Sequence, residues 1–211
     1  YKFYVKLQNL TKEKEDSIVD FIKTLPLSYF ARLTGNWDYV ISIFAKDISE
    51  VNKIKCEIYS KIAPYVVNIN ITSTVEVYQY RRNYLLNKKR YTSPSLWIGG
   101  TRKFELDKSD MKILKKMNYN SRIGAVTMAD ELNLTAKTIA SRIKRLRKEN
   151  IIYDYRIGIN LDKIGFKFFK CLIFTKDVVQ IQKFKDYCTT HSNIIHLVEC
   201  IGDWDFEIAY E

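Results

Sequence analysis

The sequence has little glycine and proline and contains no long apolar run. Seven Gly and three Pro among 211 residues exclude collagen-like and low-complexity chains. No stretch approaches the roughly 18 uncharged apolar residues that a membrane-spanning helix needs. Residues 1–10 carry Lys2 and Lys6 within an alternating apolar pattern, which is not the pattern of a secretory signal. We therefore expect no membrane partner and a cytoplasmic protein.

Cysteine and histidine are also scarce. No C-x-x-C pair occurs among the four cysteines, which are Cys56, Cys171, Cys188 and Cys200. Ordinary reduced thiols of an intracellular chain are therefore expected. His191 and His196 are the only histidines, so a zinc site would need scattered ligands. No nucleophile–base pair is visible. We predict no metal site, no cofactor and no catalytic residue.

Positive charge is abundant and lies in one part of the chain. The formal net charge is +11, from 35 basic and 24 acidic residues. Residues 81–160 hold 19 basic and 7 acidic side chains, whereas residues 1–80 hold 10 and 9, and residues 161–211 hold 6 and 8. Such concentration is typical of a nucleic-acid-binding segment. Charge alone does not separate DNA from RNA or from an acidic membrane.

Two segments of the chain repeat each other at one offset. Residues 33–39 (LTGNWDY) align with residues 200–206 (CIGDWDF) 167 positions later, and the same offset aligns residues 4–7 (YVKL) with residues 171–174 (CLIF). Two matches at one offset indicate a duplicated unit.

The first copy predicts six elements. The predicted strands cover residues 1–9, 27–33, 37–44 and 65–80. Helices are predicted over residues 11–23 and 51–62, and Gly35-Asn36 suits a tight hairpin. The inward helical positions are Ile18, Phe21, Ile22, Val51, Ile54, Ile58 and Ile62. This β-α-β-β-α-β order is ferredoxin-like. The second copy has the first four elements only, so we expect a piece of a longer array.

The segment between the copies changes to helical spacing. Residues 81–105 predict a basic linker. Three short helices are then expected, the first capped by Asp107 and the third by Thr135. Asn133 between the second and third accepts the left-handed conformation that a tight turn requires. The apolar positions are Leu106, Ile113, Leu114, Met117, Ile123, Val126, Ala129, Leu132, Ile139, Ile143 and Leu146. Residues 151–153 and 155–159 indicate a small wing.

The third predicted helix is basic on its other face. That face displays Lys137, Thr138, Ser141, Arg142, Lys144, Arg145, Arg147 and Lys148. Three short helices with a tight turn before a basic helix are typical of a winged helix-turn-helix. The alternative is a helical spacer whose charged face is only solvated.

These residues carry a family resemblance. Residues 106–114 (LDKSDMKIL) resemble the opening helix of Lrp/AsnC (feast/famine) transcription regulators. The resemblance continues at residues 121–123, 128–129, 134–146, 151–152 and 160–166. Both Gly-x-Trp-Asp hairpins resemble those of the family's ligand-sensing, ferredoxin-like RAM domain. Two departures are Asn133, where the family usually has Gly, and Ser141-Arg142, where it often has two arginines.

The resemblance implies an α+β chain with two ferredoxin-like RAM units, the second incomplete, flanking a winged helix-turn-helix. The implied divisions are a RAM-like domain at 1–80, the linker at 81–105, the helix-turn-helix at 106–160 and a truncated RAM-like domain at 161–211. The family fold also implies self-association through the RAM sheets. An unpaired first strand in the second copy favours association further.

Double-stranded DNA is the expected partner. The third helix would lie in the major groove, with basic residues on phosphates. The predicted DNA-binding residues are Arg122, Thr135, Lys137, Thr138, Ser141, Arg142, Lys144 and Arg145. We expect Lys137, Thr138, Ser141 and Arg142 to contact bases and Lys144 or Arg145 to contact phosphate. The linker residues Lys88, Lys89 and Arg90 would add backbone contacts.

The hairpins resemble the family's effector loops. The predicted effector-binding residues are Gly35, Asn36, Asp38, Gly202, Asp203 and Asp205. Their backbone N–H groups and carboxylates would hold an amino acid's carboxylate and ammonium. The alternative is purely structural, since Gly-Asn and Gly-Asp form turns and Asp caps them.

Two other function classes stay open. Siroheme decarboxylases have a similar helix-turn-helix plus RAM arrangement, so fold alone does not exclude an enzyme. A protein-interaction scaffold that has lost DNA binding is the other alternative, suggested by Ser141.

Overall fold

The computed structural model describes residues 1–86, 96–99, 104–176 and 179–211. It divides into two compact units. The sheet unit comprises residues 1–99 and 168–211, and the helical unit comprises residues 100–167. The linker residues Lys88, Lys89 and Arg90 lie outside the described residues.

Eleven described elements build the sheet unit. They are β1 (Lys2–Leu7), α1 (Lys12–Ile22), β2 (Leu27–Arg32), β3 (Tyr39–Ile43), α2 (Ile48–Ile62), β4 (Val66–Gln79) and β5 (Leu96–Ile98), and, after the helical unit, β6 (Phe169–Ile173), α6 (Val179–Thr190), β7 (Ile194–Ile201) and β8 (Phe206–Tyr210). The helical unit contains α3 (Lys108–Tyr119), α4 (Ala125–Leu132) and α5 (Ala136–Lys148). Short 3-10 helices cover Asn83–Leu86 and Leu161–Ile164.

The strand order repeats within one antiparallel sheet. The order is β2-β3-β1-β4-β7-β8-β6, with β5 pairing to β4. The run β7-β8-β6 repeats β2-β3-β1, because β6, α6, β7 and β8 follow the chain order of β1, α1, β2 and β3. The long β4 joins the copies, since its first half pairs with β1 and its second half with β7. The element order predicted for residues 1–80 is the observed one.

The two central strands of the first copy, β1 and β3, are buried on both faces. In β3, Tyr39 and Ile41 pack into the core beneath α1 and α2, as alternation along a strand requires. Val40 points to the opposite face and packs with Tyr4 and Trp204 in a second core. Because Trp204 follows β7, this second core lies between the two copies.

A buried ionic cluster crosses the face between the copies. Lys2 Nζ donates to Glu207 Oε2 at 2.6 Å, and Lys170 Nζ donates to the same oxygen at 3.1 Å. Trp204 Nε1 donates to the other carboxylate oxygen at 3.4 Å. Burial alone would raise the pKa of Glu207, which is 1% exposed, but the ammonium groups of Lys170 and Lys2 hold that pKa below its ordinary value. Glu207 is therefore charged and links β8 to β1 and β6.

The helical unit has its own core of three helices. Ile113, Met128, Ile139 and Leu146 are each fully buried in it. The prediction that Val126 faces this core is wrong, because its side chain is 67% exposed. The buried residues of α4, which begins at residue 125, are Met128 and Ala129. Met128 therefore occupies the inward position that the spacing assigned to Val126.

The predicted wing is not formed as a β-hairpin. Between α5 and β6 the structure, which describes this whole segment, has no strand and only the 3-10 helix Leu161–Ile164. Ile151 and Ile152 leave α5 with both N–H groups bonded to Leu146 O, and they pack on the helical core. These contacts use the apolar side chains that alternation assigned to a strand.

We expect Glu207→Gln to lower the free energy of unfolding by about 3–5 kcal/mol. The change leaves two buried ammonium groups without a counter-charge, which is the costly way to break a buried ion pair. Urea denaturation at neutral pH measures the loss. Since the folded pKa of Glu207 is lowered, its stabilisation is complete above the ordinary carboxyl pKa and disappears as pH falls through the folded value. The variant should lack that acid-side loss.

Lys2→Met is the matched control. It leaves Lys170 and Glu207 as a one-to-one pair, so it should cost clearly less than Glu207→Gln. A Glu207→Gln protein as stable as the wild type would show that the cluster does not stabilise the packing of the two copies.

Candidate nucleic-acid interface

The turn between α4 and α5 has the geometry of a helix-turn-helix. Only Asn133, Leu134 and Thr135 separate the two helices. Asn133 adopts φ 53° and ψ 47°, the left-handed conformation, so that prediction is confirmed. Thr135 caps α5, its Oγ1 accepting the N–H of Thr138 at 3.1 Å.

One face of α5 is inside the helical core and another faces solvent. Ile139 and Leu146 are fully buried and fix the rotation of the helix. The exposed positions Lys137, Ser141, Lys144 and Lys148 are spaced by three or four residues, so they lie on one face. We call these four residues the α5 stripe.

The α5 stripe has no acidic partner among the residues that the structure describes. Within the described part of the chain, no carboxylate forms an ion pair with Lys137, Lys144 or Lys148. Ser141 Oγ donates to Thr138 O at 2.9 Å, which leaves its lone pairs for a donor. The stripe therefore presents three uncompensated ammonium groups around a hydroxyl acceptor.

Two predicted DNA-binding arginines form ion pairs within the helical unit. Arg142 Nη1 donates to Asp107 Oδ2 at 2.6 Å and to Asp110 Oδ1 at 2.9 Å. Arg145 Nη2 donates to the other Asp110 oxygen. Asp110 is fully buried, and burial would raise its pKa, but the bonds from Arg142, the Asp107 backbone and Arg145 keep that pKa below its ordinary value. The two arginines thus tie α5 to the start of α3.

Sequence reasoning missed this network, although a signal for it was present. Asp107 was recognised as the cap of α3, and it is one. Asp110 completes a capping box, accepting the Asp107 N–H at 3.2 Å. A capping carboxylate leaves free oxygen lone pairs that a guanidinium on a neighbouring helix can bind.

The remaining predicted DNA-binding residues are exposed or engaged locally. Arg122 follows α3, has an exposed side chain and donates its backbone N–H to Asn120 Oδ1 at 3.0 Å. Thr138 is half-buried, with its hydroxyl 2.8 Å from that of Thr135. Arg147, on the basic face, bonds through its Nη2 to the hydroxyl of Tyr155 at 2.9 Å.

The two hairpins have the same internal geometry. Asp38 Oδ2 accepts the N–H of Leu7 at 2.7 Å, and Asp205 Oδ2 accepts the N–H of Thr175 at 2.7 Å. Both carboxylates thus hold the end of a first strand, in β1 and β6 respectively. Gly35 has φ +125°, which favours glycine. Each aspartate therefore has a structural role that does not require a ligand.

The other hairpin residues differ between the copies. Asn36 lines a cavity between the copies. Gly202 lies so close to β4 that a Cβ there would sit 2.7 Å from Thr72 Cγ2. Asp203 accepts a hydrogen bond from the Asn70 amide. The second hairpin is thus packed against β4.

Two open cavities adjoin the first hairpin. The Asp38 cavity, of about 450 Å³, is lined by Asp38, Glu15 and Arg32 among others. The Lys170 cavity, of about 540 Å³, lies between the copies and is lined by Tyr4, Trp37 and Lys170 among others. Neither His191 nor His196 lines either of these cavities.

Two further types of feature are absent from the described residues. There, no group of three or more His, Cys, Asp or Glu side chains is placed to hold a metal ion. No helix in the same part of the chain is long and apolar enough to cross a membrane.

Comparison with known proteins identifies the helix-turn-helix. The family model for the AsnC-type helix-turn-helix domain matches residues 106–147. PH0061, an uncharacterized HTH-type transcriptional regulator of Pyrococcus horikoshii, is 39% identical over 72 residues, or 34% of this chain and 49% of that protein. LrpA, an HTH-type transcriptional regulator of Bacillus subtilis, is 29% identical over 99 residues, or 46% of this chain and 73% of that protein. The chain thus spans about half the length of PH0061.

A solved structure resembles the whole chain in fold. The siroheme decarboxylase NirDL, crystallised in co-complex with an iron-uroporphyrin III analogue, matches with a TM-score of 0.60 over 100% of this chain and 60% of that chain. The sequence identity is 8%, so this likeness shows the fold alone.

The matched helix-turn-helix and the regulators PH0061 and LrpA lead to one conclusion: the chain carries an AsnC-type helix-turn-helix domain and is homologous to transcriptional regulators of the Lrp/AsnC family.

Proposed function

We propose that the protein is a sequence-specific, DNA-binding transcriptional regulator that inserts α5 into the major groove. The observation that carries the proposal is the α5 stripe, whose lysines have no acidic partner among the described residues while the opposite face of α5 is buried. Three cations on one exposed face of a helix complement the negative charge of a phosphate-lined groove.

The contacts divide along α5. Lys137 and Ser141 lie in the N-terminal half, the part of a recognition helix that meets base edges. Lys144 and Lys148 lie further along and suit phosphates. Arg142 and Arg145 position α5 by holding it against Asp110. This assignment replaces the base contact expected of Arg142.

The sheet unit supplies the second part of the proposal. Its two copies correspond to two RAM-like domains, the second incomplete, that share one continuous sheet and a common core within one chain. Association of separate chains is supported by β6 at one end of the sheet, where it pairs only with β8 among the described strands.

Amino-acid effector sensing remains a proposal for the Asp38 cavity. Glu15 and Asp38 line the cavity with carboxylates, and Arg32, which pairs with Glu15 at 3.2 Å, lines it with a guanidinium. The presence of both signs of charge complements a zwitterion. Asp38 also accepts bonds from Leu7 and Lys6, so its substitution would disturb the hairpin as well as a ligand.

A salt titration tests the phosphate contacts. We expect Lys144→Ala to weaken binding to a preferred duplex and to random DNA about equally and to lower the slope of log K against log salt by ~1. Fluorescence anisotropy at several salt concentrations measures both. Lys112→Ala, at an exposed position of α3, is the matched control and should leave the slope nearly unchanged. Equal slopes for Lys144→Ala and the wild type would contradict the assignment.

Lys137→Ala tests the base contact. It should cost ~1–3 kcal/mol on the preferred site and much less on random DNA. Equal losses on both duplexes would make the basic helix an electrostatic tether without sequence discrimination.

A double-mutant cycle tests the role of Arg142. We expect a coupling energy of about 1–3 kcal/mol in unfolding between Arg142→Ala and Asp110→Asn, because the hydrogen bonds between these side chains are charge-assisted. The exposed ion pair of Lys116 with Glu131 is the control and should couple by about 0–1 kcal/mol. The opposite result has two parts: additive effects of Arg142→Ala and Asp110→Asn on unfolding, and a loss of DNA affinity for Arg142→Ala on the preferred site only. It would show that Arg142 contacts bases.

An enzyme on the same fold is the competing function, because the likeness to NirDL covers the whole chain. The positions of the histidines argue against it. His191 lies after α6, where its Nδ1 accepts the Asn193 N–H at 3.3 Å, and His196 lies within β7. We expect titration with iron-uroporphyrin III to leave the Soret band at the position of the free pigment. A shifted band that saturates at one equivalent would support the enzyme.

A further inference from the structure

Each of the duplicated halves of the sheet unit has a lysine at one equivalent position, but only the second half has a carboxylate at another. Val5 pairs with Tyr39 in the first copy, as Ile173 pairs with Phe206 in the second. The residues three positions before Val5 and Ile173 are Lys2 and Lys170, which are therefore equivalent. The residues that follow Tyr39 and Phe206 are Val40 and Glu207. Two buried ammonium groups thus share one carboxylate.

Lys170 is the ammonium group that borders open space. Its Nζ donates to Glu207 Oε2 at 3.1 Å and to the Tyr4 hydroxyl at 3.1 Å. It also lies 5.8 Å from the ring centroid of Tyr29. Burial and the charge of Glu207 raise the pKa of Tyr4 far above its ordinary value, so the phenol is neutral and supplies no counter-charge. Burial lowers the pKa of Lys170, the charge of Glu207 raises it and the charge of Lys2 lowers it further. With both lysines protonated, the group of Lys2, Lys170, Glu207 and Tyr4 carries one uncompensated positive charge, and a bound anion would favour that protonated form of Lys170.

The cavity beside Lys170 offers apolar and aromatic walls. Tyr29, Trp37, Phe169 and Leu172 line its volume of about 540 Å³, which is within the range of small-molecule sites. No acidic side chain lines it. The other cation in the lining, Arg32, is already paired with Glu15 at 3.2 Å. The surplus charge therefore belongs to Lys170.

We propose that this cavity binds a small organic carboxylate with an aromatic body, its carboxylate on Lys170 and its ring against the aromatic walls. A carboxylate supplies the missing negative charge beside an ammonium group that is itself largely buried, and a charge-assisted hydrogen bond to such a group is strong. The ring buries apolar surface against Tyr29 and Trp37. The site does not depend on the proposed DNA contacts.

The same charge balance discriminates against amino acids. The α-ammonium of a zwitterion would enter a cavity that already has a surplus cation and whose nearest carboxylate, Glu207, accepts bonds from two lysines. It would find no acceptor with a negative charge and would be repelled by Lys170. The Lys170 cavity therefore differs in ligand class from the Asp38 cavity, where carboxylates are present.

The experiment compares 3-phenylpropanoate with L-phenylalanine by isothermal titration calorimetry on the full chain, without DNA. The two probes share a skeleton and differ in the α-ammonium. We expect 3-phenylpropanoate to bind at least about tenfold more tightly. Lys170→Met should reduce its affinity by about tenfold or more, since it removes the charge partner. The protein should still fold, because Lys2 and Glu207 remain a neutral pair, and a thermal melt checks this.

Lys185→Met is the matched control. Lys185 pairs with Glu199 and lies over the rings of Tyr78 and Phe206, a similar setting outside the cavity, so its replacement should leave binding unchanged. Three results would overturn the proposal: no binding of 3-phenylpropanoate at millimolar concentration, equal affinity for the two probes, or binding that survives Lys170→Met. Loss of DNA binding by α5 variants would leave this outcome untouched.

Discussion

The carboxylate of Glu207 and its two lysines connect the duplicated halves of the sheet unit. Because both faces of β1 and β3 are buried, any charge on the face between the copies must find its partner there. Glu207 binds Lys2 from β1 and Lys170 from β6, strands that lie far apart in the sheet order. The same pairing leaves one positive charge beside the Lys170 cavity. Packing of the copies and the ligand class of the cavity thus follow from one charge balance.

The helical unit meets a related constraint in a different way. A basic helix repels itself unless some of its charge is compensated. Asp110 binds Arg142 and Arg145, and this pairing orients α5 on α3. The lysines of the α5 stripe keep their charge for solvent or a polyanion. The helix is divided into arginines that position it and lysines that are available to bind, which fits the suitability of Arg for pairing with a buried carboxylate such as Asp110.

Local patterns in the sequence predicted the local structure well. The left-handed turn at Asn133, the caps at Asp107 and Thr135 and the inward residues Val51, Ile54 and Ile58 depend on neighbours within a few positions. The 167-residue offset also predicted the matching hairpins, but it aligned β1 with β6 one residue out of register, because Val5 is equivalent to Ile173 in the strand pairing. Features that depend on tertiary packing were not predicted. The inward residue of α4 is Met128, half a turn from the expected Val126. Ile151 and Ile152, expected in a wing, pack on the helical core instead.

Side-chain contacts between residues far apart in the sequence could not be predicted from local sequence patterns. Arg142 stands on the face of α5 that spacing assigns to the DNA side, but its long side chain reaches back to Asp110, 32 positions earlier. The pairing of Lys2 with Glu207 spans 205 positions. Neither contact follows from composition or periodicity, because each depends on which elements the fold brings together.

We propose above all that the α5 stripe is the DNA-binding surface. An NMR titration of the isotope-labelled chain with a duplex containing the preferred site tests this directly. We predict that DNA-induced changes in amide and side-chain chemical shifts concentrate at Lys137, Ser141, Lys144 and Lys148. The guanidinium shifts of Arg142 and Arg145 should stay unchanged, because both groups remain bonded to Asp110. Shifts spread evenly over all basic residues, or displacement of Arg142 from Asp110, would contradict it.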